Sequence, residues 1–245
     1  MFSATFKIEE GAFLAGVLAA LTSVGDENRT GTGVVGIIGS VEFDPTVQAL
    51  IAGFRQGLDY AARNDTLNIT TTLLPIEYVG NFNDSAEAES IAIDMFDPAI
   101  GDASIIFAPV RASILGVRDA MIAANATFYN GTDRQPLVIA AEGDQDYIGL
   151  PDINTRSGSS WIITSVVPRS DEAVYRVINA TLWDEFEGNN LVYGIGPDTD
   201  VTEGVMLTHS EFINNEWTPP RLFSELDTVH HDIVIGEIVV SPTYP

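Results

Sequence analysis

The chain contains no cysteine. Disulfides, thiol catalysis and cysteine-ligated zinc are therefore excluded. Lysine is almost missing as well: Lys7 is the only one among 11 basic residues, set against 35 acidic residues and a net charge of −24. A surface so poor in cations does not suit nucleic acid, whose binding rests on Lys and Arg contacts to phosphate. Anionic membrane surfaces are poor partners for the same reason. Only three histidines occur, no HExxH spacing is present, and no apolar run reaches the length of a bilayer span. What is abundant is apolar character, 45% of 245 residues, enough for a real core.

An acidic, lysine-poor surface holds water and salt well, which fits a protein from a high-salt environment. The alternative is an ordinary acidic extracellular protein. Asn-x-Ser/Thr occurs seven times, at Asn28, Asn64, Asn68, Asn83, Asn125, Asn130 and Asn179. With 13 Asn and 35 Ser plus Thr in the chain, chance gives about two. Most of the seven lie in polar stretches, which suits exposed loops of an extracellular glycoprotein. Loop composition without sugar is the plainer reading. Residues 12–21 (AFLAGVLAAL) are apolar, but Glu9 and Glu10 stand where a signal peptide avoids acids. The expectation is a buried helix with acids in its first turn, in a mature or truncated piece.

Strand-like and helix-like segments alternate. Strands are expected at 34–40, 69–79, 103–110, 136–144, 159–167, 190–196 and 204–209. Helices are expected at 45–64, capped by Asp44 with Pro45 in the first turn, and at 85–100, 112–126 and 171–186. The stretch 221–240 mixes helix with a terminal strand. The alternation predicts an α/β protein with a parallel sheet. Ligands of such sheets bind beyond the C-terminal ends of the strands. That rule selects Gly39, Ser40, Tyr78, Phe82, Phe107 to Arg111, Glu142 to Tyr147, and Ser165 to Arg169.

No phosphate loop or nucleophile elbow follows any strand. No catalytic residue, metal ligand or cofactor is assigned. The strand ends carry aromatics (Phe82, Phe107, Tyr147), carboxylates (Glu142, Asp144, Asp146) and arginines (Arg111, Arg169). Aromatic plates beside carboxylates suit a flat, hydroxylated small molecule, through stacking and hydroxyl-to-carboxylate hydrogen bonds. Plain core for Phe107, and a solvated acidic loop or cation site for the carboxylates, are the competing readings.

Five blocks occur in order: TFKIEEGAFLAGVLAAL (5–21), VGIIGS…P…AGFRQGLDYA (35–61), IIFAPV…GVRDA (105–120), VIAAEGDQDY (138–147) and ITSVVPRSDEAV (163–174). Together they resemble the basic membrane protein family, the PnrA-like purine-nucleoside-binding lipoproteins of ABC uptake systems. The resemblance implies a type I periplasmic-binding-protein-like fold of two Rossmann-like lobes, here with the first lobe incomplete. Residues 32–167 would form the second lobe, and 1–31 with 168–245 the remainder of the first plus crossover segments. It further implies Phe107 as a base-stacking aromatic and Asp144 as a ribose ligand, with Glu142 in place of the family's aspartate. Two departures stand out. The family's glycine-rich turn is Val110-Arg111-Ala112-Ser113 here, and its lysine is Pro168, with Arg169 next door. The implied function is an extracellular, non-enzymatic solute receptor for a nucleoside-like molecule, serving an ABC permease. A ligand-sensing ectodomain of a membrane receptor and a nucleoside hydrolase are the alternatives. Two further expectations follow from the incomplete lobe: helices 10–22 and 171–186 should expose apolar faces, and ligand affinity should be low.

Overall fold

The computed structural model describes residues 2–26, 29–196, 204–212 and 220–244. A short strand, β1 (Ser3–Phe6), leads into α1 (Ile8–Ser23), a two-residue hairpin, β2 (Gly25–Asp26) and β3 (Arg29–Thr30), and then β4 (Val34–Gly39). Helix α2 (Pro45–Arg63) starts where the sequence places it. Asp44 Oδ1 accepts from the backbone N–H groups of Thr46 and Val47 at 2.9 and 3.1 Å, and Pro45 occupies the first turn. The expected strand 69–79 is broken by Pro75 into two edge pieces, β5 (Thr72–Leu73) and β6 (Glu77–Tyr78). Then come α3 (Ser85–Phe96), β7 (Ile105–Ala108), α4 (Ile114–Thr127), β8 (Leu137–Ala141), β9 (Ile162–Pro168), α5 (Ser170–Leu182), β10 (Asn190–Tyr193), β11 (Val205–Leu207) and α6 (Pro220–Val234). No strand follows α6 among the described residues. Instead the terminal segment docks on α2: Gln56 exchanges two hydrogen bonds with the Ser241 backbone, and Tyr244 donates to Asp59 at 2.7 Å.

The main sheet runs β11-β9-β8-β7-β4-β5, with β6 also on β4. All of its pairings are parallel except β11 on β9. β7 and β8 are continuous apolar runs, as parallel strands covered on both faces must be. Alternation along β7 assigns the two faces. Phe107 stacks on Phe54 of α2, while Ile106 lies beside Gly36 and Met95 of α3. Helices α1 and α2 therefore cover one face, and α3 and α4 the other.

Helix α1 corrects one expectation. Its residues from Glu9 to Ala20 are all buried, packed against α2, α6, β9 and β11. Small residues allow this. A methyl group added at Gly16, Gly53 or Gly57 would run into the backbone carbonyl of Phe54, Glu9 or Phe13 on the facing helix. The acids of its first turn are also used: Glu10 accepts from Lys7 Nζ and from the Ile195 N–H, both at 2.9 Å. Helix α5 does keep an exposed apolar face, formed by Val174, Tyr175, Ile178 and Leu182. Beside it, β1 and β10 pair in parallel as a separate two-stranded sheet.

Candidate functional site

The C-terminal ends of β4, β6, β7, β8 and β9 lie along one edge, because all five strands run in the same direction. Each is followed by a loop that ends at a helix or a 3₁₀ turn. These loops carry the groups that face outward at the edge.

Arg111 is the centre of the cluster. Its Nε lies 3.0 Å from both Glu142 carboxylate oxygens. Its Nη2 is 3.7 Å from Asp44 Oδ2, and its guanidinium sits 4.4 Å over the Phe82 ring. One cation thus ties together the loops after β4, β6, β7 and β8. Both Arg111 (φ 53°) and Glu142 (φ 71°) have left-handed backbone, which costs an L-residue energy and persists where the surroundings impose it. Burial pushes the Glu142 carboxyl above its ordinary range, and the neighbouring Arg111 opposes that shift.

Asp144 lies two residues beyond Glu142 and is exposed, accepting the Asp146 N–H at 3.3 Å. Asp146 turns inward. It is 4% exposed, its Oδ2 accepts the Glu211 N–H at 2.6 Å, and its Oδ1 has no hydrogen-bond partner among the described residues. Gln145 is held between them by Ser165, whose Oγ accepts the Gln145 N–H at 3.2 Å. These bonds fix the direction in which the Asp144 carboxylate leaves the edge.

Phe107 lies below the edge. Its ring is 0% exposed and stacks on Phe54 at 4.4 Å and 6°, so as packed it presents no face to a ligand. The exposed aromatics of this edge are Phe43 (86%), Phe82 (37%) and Tyr147 (48%). Sequence reasoning missed Phe43; its signal was its place between a strand end and the Asp44 cap. Arg169 sits at the neighbouring end of β9 in an ion pair of its own, with Nη2 2.9 Å from Asp171 and Nη1 against Met206 Sδ. Pro168 closes β9 and pairs with Val205. The structure therefore brings Arg111 and Glu142 into contact, places Asp144 beside them, sets Phe107 beneath, and leaves Arg169 engaged with Asp171.

A cavity of about 730 Å³ lies away from this edge, between α2 and the terminal segment, and is lined by Gln56, Asp59, Tyr60 and Tyr244 among others. It follows from the docking of that segment, and its own aromatic and carboxylate groups are engaged there, Tyr244 donating to Asp59 at 2.7 Å. The strand-end edge itself is an open face.

Comparison with known proteins agrees with this architecture. The chain is 28% identical over 190 residues to the "ABC transporter nucleoside-binding protein BmpA" of Lactococcus lactis, covering 78% of this chain and 48% of that protein. It is 28% identical over 238 residues to "Basic membrane protein A2" of Borrelia garinii, covering 96% of this chain and 58% of that one. The chain thus spans about half the length of these relatives. Among solved structures, solute-binding proteins of ABC transporter systems from Aeropyrum pernix and Conexibacter woesei match with TM-scores of 0.68 and 0.67. Their identities are 19% and 18%, with 98% and 99% of this chain and 66% of each of theirs covered. These likenesses support the type I periplasmic-binding-protein-like fold. The model of the family described as "ABC transporter substrate-binding protein PnrA-like" matches residues 1–241, and the chain belongs to that family.

Proposed function

We propose that this chain binds a nucleoside at the C-terminal edge of its parallel sheet, outside the cell, and serves an ABC permease without catalysing a reaction. The observation that carries the reading is the convergence of Asp44, Phe82, Arg111, Glu142 and Asp144 on that edge. A nucleoside needs a flat surface for the base and acceptors for the ribose hydroxyls. Phe82, backed by the Arg111 guanidinium, and the exposed Phe43 supply aromatic surface. Asp144 supplies the acceptor, exposed and held in direction by the Gln145 and Asp146 turn. Glu142 neutralises Arg111 and fixes it, and Phe107 forms the packed floor. Arg169, one strand end further on, frames the edge.

In this reading residues 32–167 act as the second lobe, and 1–31 with 168–245 supply the crossover and the remainder of the first lobe. The separate β1–β10 sheet supports that division. The nucleoside-binding name of the Lactococcus relative supports the ligand class. Because Asp44 and Glu142 together outweigh Arg111, the edge favours neutral solutes over phosphorylated ones.

Saturation-transfer NMR at millimolar adenosine, inosine and guanosine tests the proposal, with adenosine monophosphate as the contrast. Transfer to nucleoside base and ribose protons, with little to the phosphorylated form, is expected. No transfer to any nucleoside from folded protein would overturn it.

A further inference from the structure

The sequons are distributed unevenly over the fold. Helices α2 and α4 return antiparallel to the strands, so the segments that follow them lie at the sheet's N-terminal edge, opposite the strand-end cluster. Asn64, Asn68, Asn125 and Asn130 all sit in or after the last turns of these helices. The 2.7 Å bond from Thr30 Oγ1 to Asp133 Oδ2 ties the β3 end to this edge. Asn83 alone stands on the strand-end side, beside Phe82, and Asn179 is on α5. Asn28 lies outside the described residues.

The local chemistry of the four differs. The Asn64 side chain is committed: its Nδ2 donates to Tyr60 Oη at 2.9 Å, and its Oδ1 accepts from the Thr66 and Leu67 N–H groups. Asn125 is half-buried in helical backbone. Asn68 is exposed, left-handed (φ 47°), and carries a side chain with no hydrogen bond among the described residues; Thr70, two residues on, is exposed too. Asn130 is exposed in a turn before Gly131 (φ 79°), with Thr132 exposed but donating to the Tyr129 carbonyl at 2.8 Å. Asn179 is held in helix, accepting from Trp183 Nε1 at 3.2 Å.

We propose that the sheet's N-terminal edge is an N-glycosylated face, modified at Asn68 and to a lesser extent at Asn130, leaving the opposite edge free for its ligand. In the transfer, the Asn Nδ2 attacks the anomeric carbon of a lipid-phosphate-linked glycan. A C–N bond forms, the C–O bond to the lipid phosphate breaks, and the amide gives up one proton as the lipid phosphate leaves. Exposure of both the amide and the hydroxyl two residues on is what the transferring enzyme requires, and Asn68 with Thr70 meets it most fully. The count points the same way: seven sequons against about two expected by chance is an excess. No fold requirement accounts for the free Asn68 side chain, although its backbone conformation favours Asn.

Mass spectrometry of protein purified from its native host, after cleavage at glutamate and with electron-transfer fragmentation, tests this. Hexose-containing mass additions are expected on Asn68 in the larger share of molecules and on Asn130 in a smaller share, with Asn64, Asn83, Asn125 and Asn179 bare. Asn68→Gln and Thr70→Ala should each abolish the addition at residue 68 and leave that at Asn130, and Thr70→Ala does so with the acceptor asparagine still present. Protein of unmodified mass at both sites would overturn the proposal, as would modification of Asn64, Asn125 or Asn83 to the extent of Asn68.

Discussion

Arg111 and Glu142 stand at the ends of neighbouring strands, both with left-handed backbone, and the arginine Nε is 3.0 Å from each oxygen of the carboxylate. The contact supports two unfavourable conformations at once and opposes the rise that burial imposes on the Glu142 carboxyl. Replacing Arg111 separates these effects. Arg111→Ala removes the cation and keeps the strain, whereas Arg111→Gly removes both. The glycine variant should be the more stable of the two by about 1 kcal/mol. Urea unfolding measures the difference, and equal midpoints would show that the backbone at 111 is not strained.

The α1–α2 contact depends on missing methyl groups. Gly57→Ala raises helix propensity by about 1 kcal/mol. It also drives a Cβ into the Phe13 carbonyl, which is backbone and cannot rotate away. The helices must then separate along a seam that buries Phe13, Val17 and Leu18. Overpacking of this kind costs about 1–3 kcal/mol, and the clash here is with backbone, so a cost at the upper end and a net loss of up to about 2 kcal/mol are expected. Gly143→Ala is the control, since nothing lies within 4 Å of its added methyl; it should stay within about 0.5 kcal/mol of the parent. Denaturant midpoints of the two variants give the comparison.

Tyr129 sets an alkaline limit. It is buried, its hydroxyl donates to the Phe96 and Ala103 carbonyls, and burial pushes its pKa from 10.0 to about 12. The folded state therefore resists ionisation that the unfolded chain undergoes. The stabilisation is fully present below pH 10 and is lost as pH rises from 10 towards 12. At one pKa unit per 1.36 kcal/mol, the loss approaches about 3 kcal/mol. Tyr129→Phe should be less stable than the parent at pH 8 by about 1 kcal/mol, with a shallower fall above pH 10. Melting temperatures of both proteins between pH 8 and 12 test this; parallel curves would dismiss Tyr129 as the source.

The fold was legible because its signals are local and mutually consistent. Asp44-Pro45 marks a helix start wherever it occurs, and the apolar runs at 105–108 and 137–141 read as doubly covered parallel strands. The site was legible in part. Topology alone places Arg111, Glu142 and Asp144 at the strand-end edge, but it cannot say which way a side chain turns. Phe107 turns down onto Phe54, and Arg111 reaches sideways to Glu142 and Phe82. Both outcomes are set by residues distant in sequence. The expected buried helix at 12–21 is found, but the apolar face expected to be exposed on it is covered, for the same reason. Its partners α2 and α6 meet it through tertiary packing, and the glycine spacing that permits the approach is shared between two helices.

Asp144 offers the sharpest test of the ligand reading. Its carboxylate is exposed and, among the described residues, makes one hydrogen bond at 3.3 Å, to the Asp146 N–H, which leaves most of its acceptor capacity for other donors. If it holds ribose hydroxyls, Asp144→Ala removes charged hydrogen bonds worth about 1.5–3 kcal/mol. That is roughly a 10- to 150-fold loss in affinity for adenosine. Adenine has no ribose and should bind the variant and the parent alike. Phe82→Ala should weaken both ligands by about 1–3 kcal/mol, because stacking acts on the base they share. The two substitutions therefore leave different signatures across the same pair of ligands, and a general loss of folding would erase the contrast between them. NMR titrations of adenosine and adenine against parent, Asp144→Ala and Phe82→Ala protein measure it. Equal losses for both ligands on Asp144→Ala would remove the ribose role from this residue.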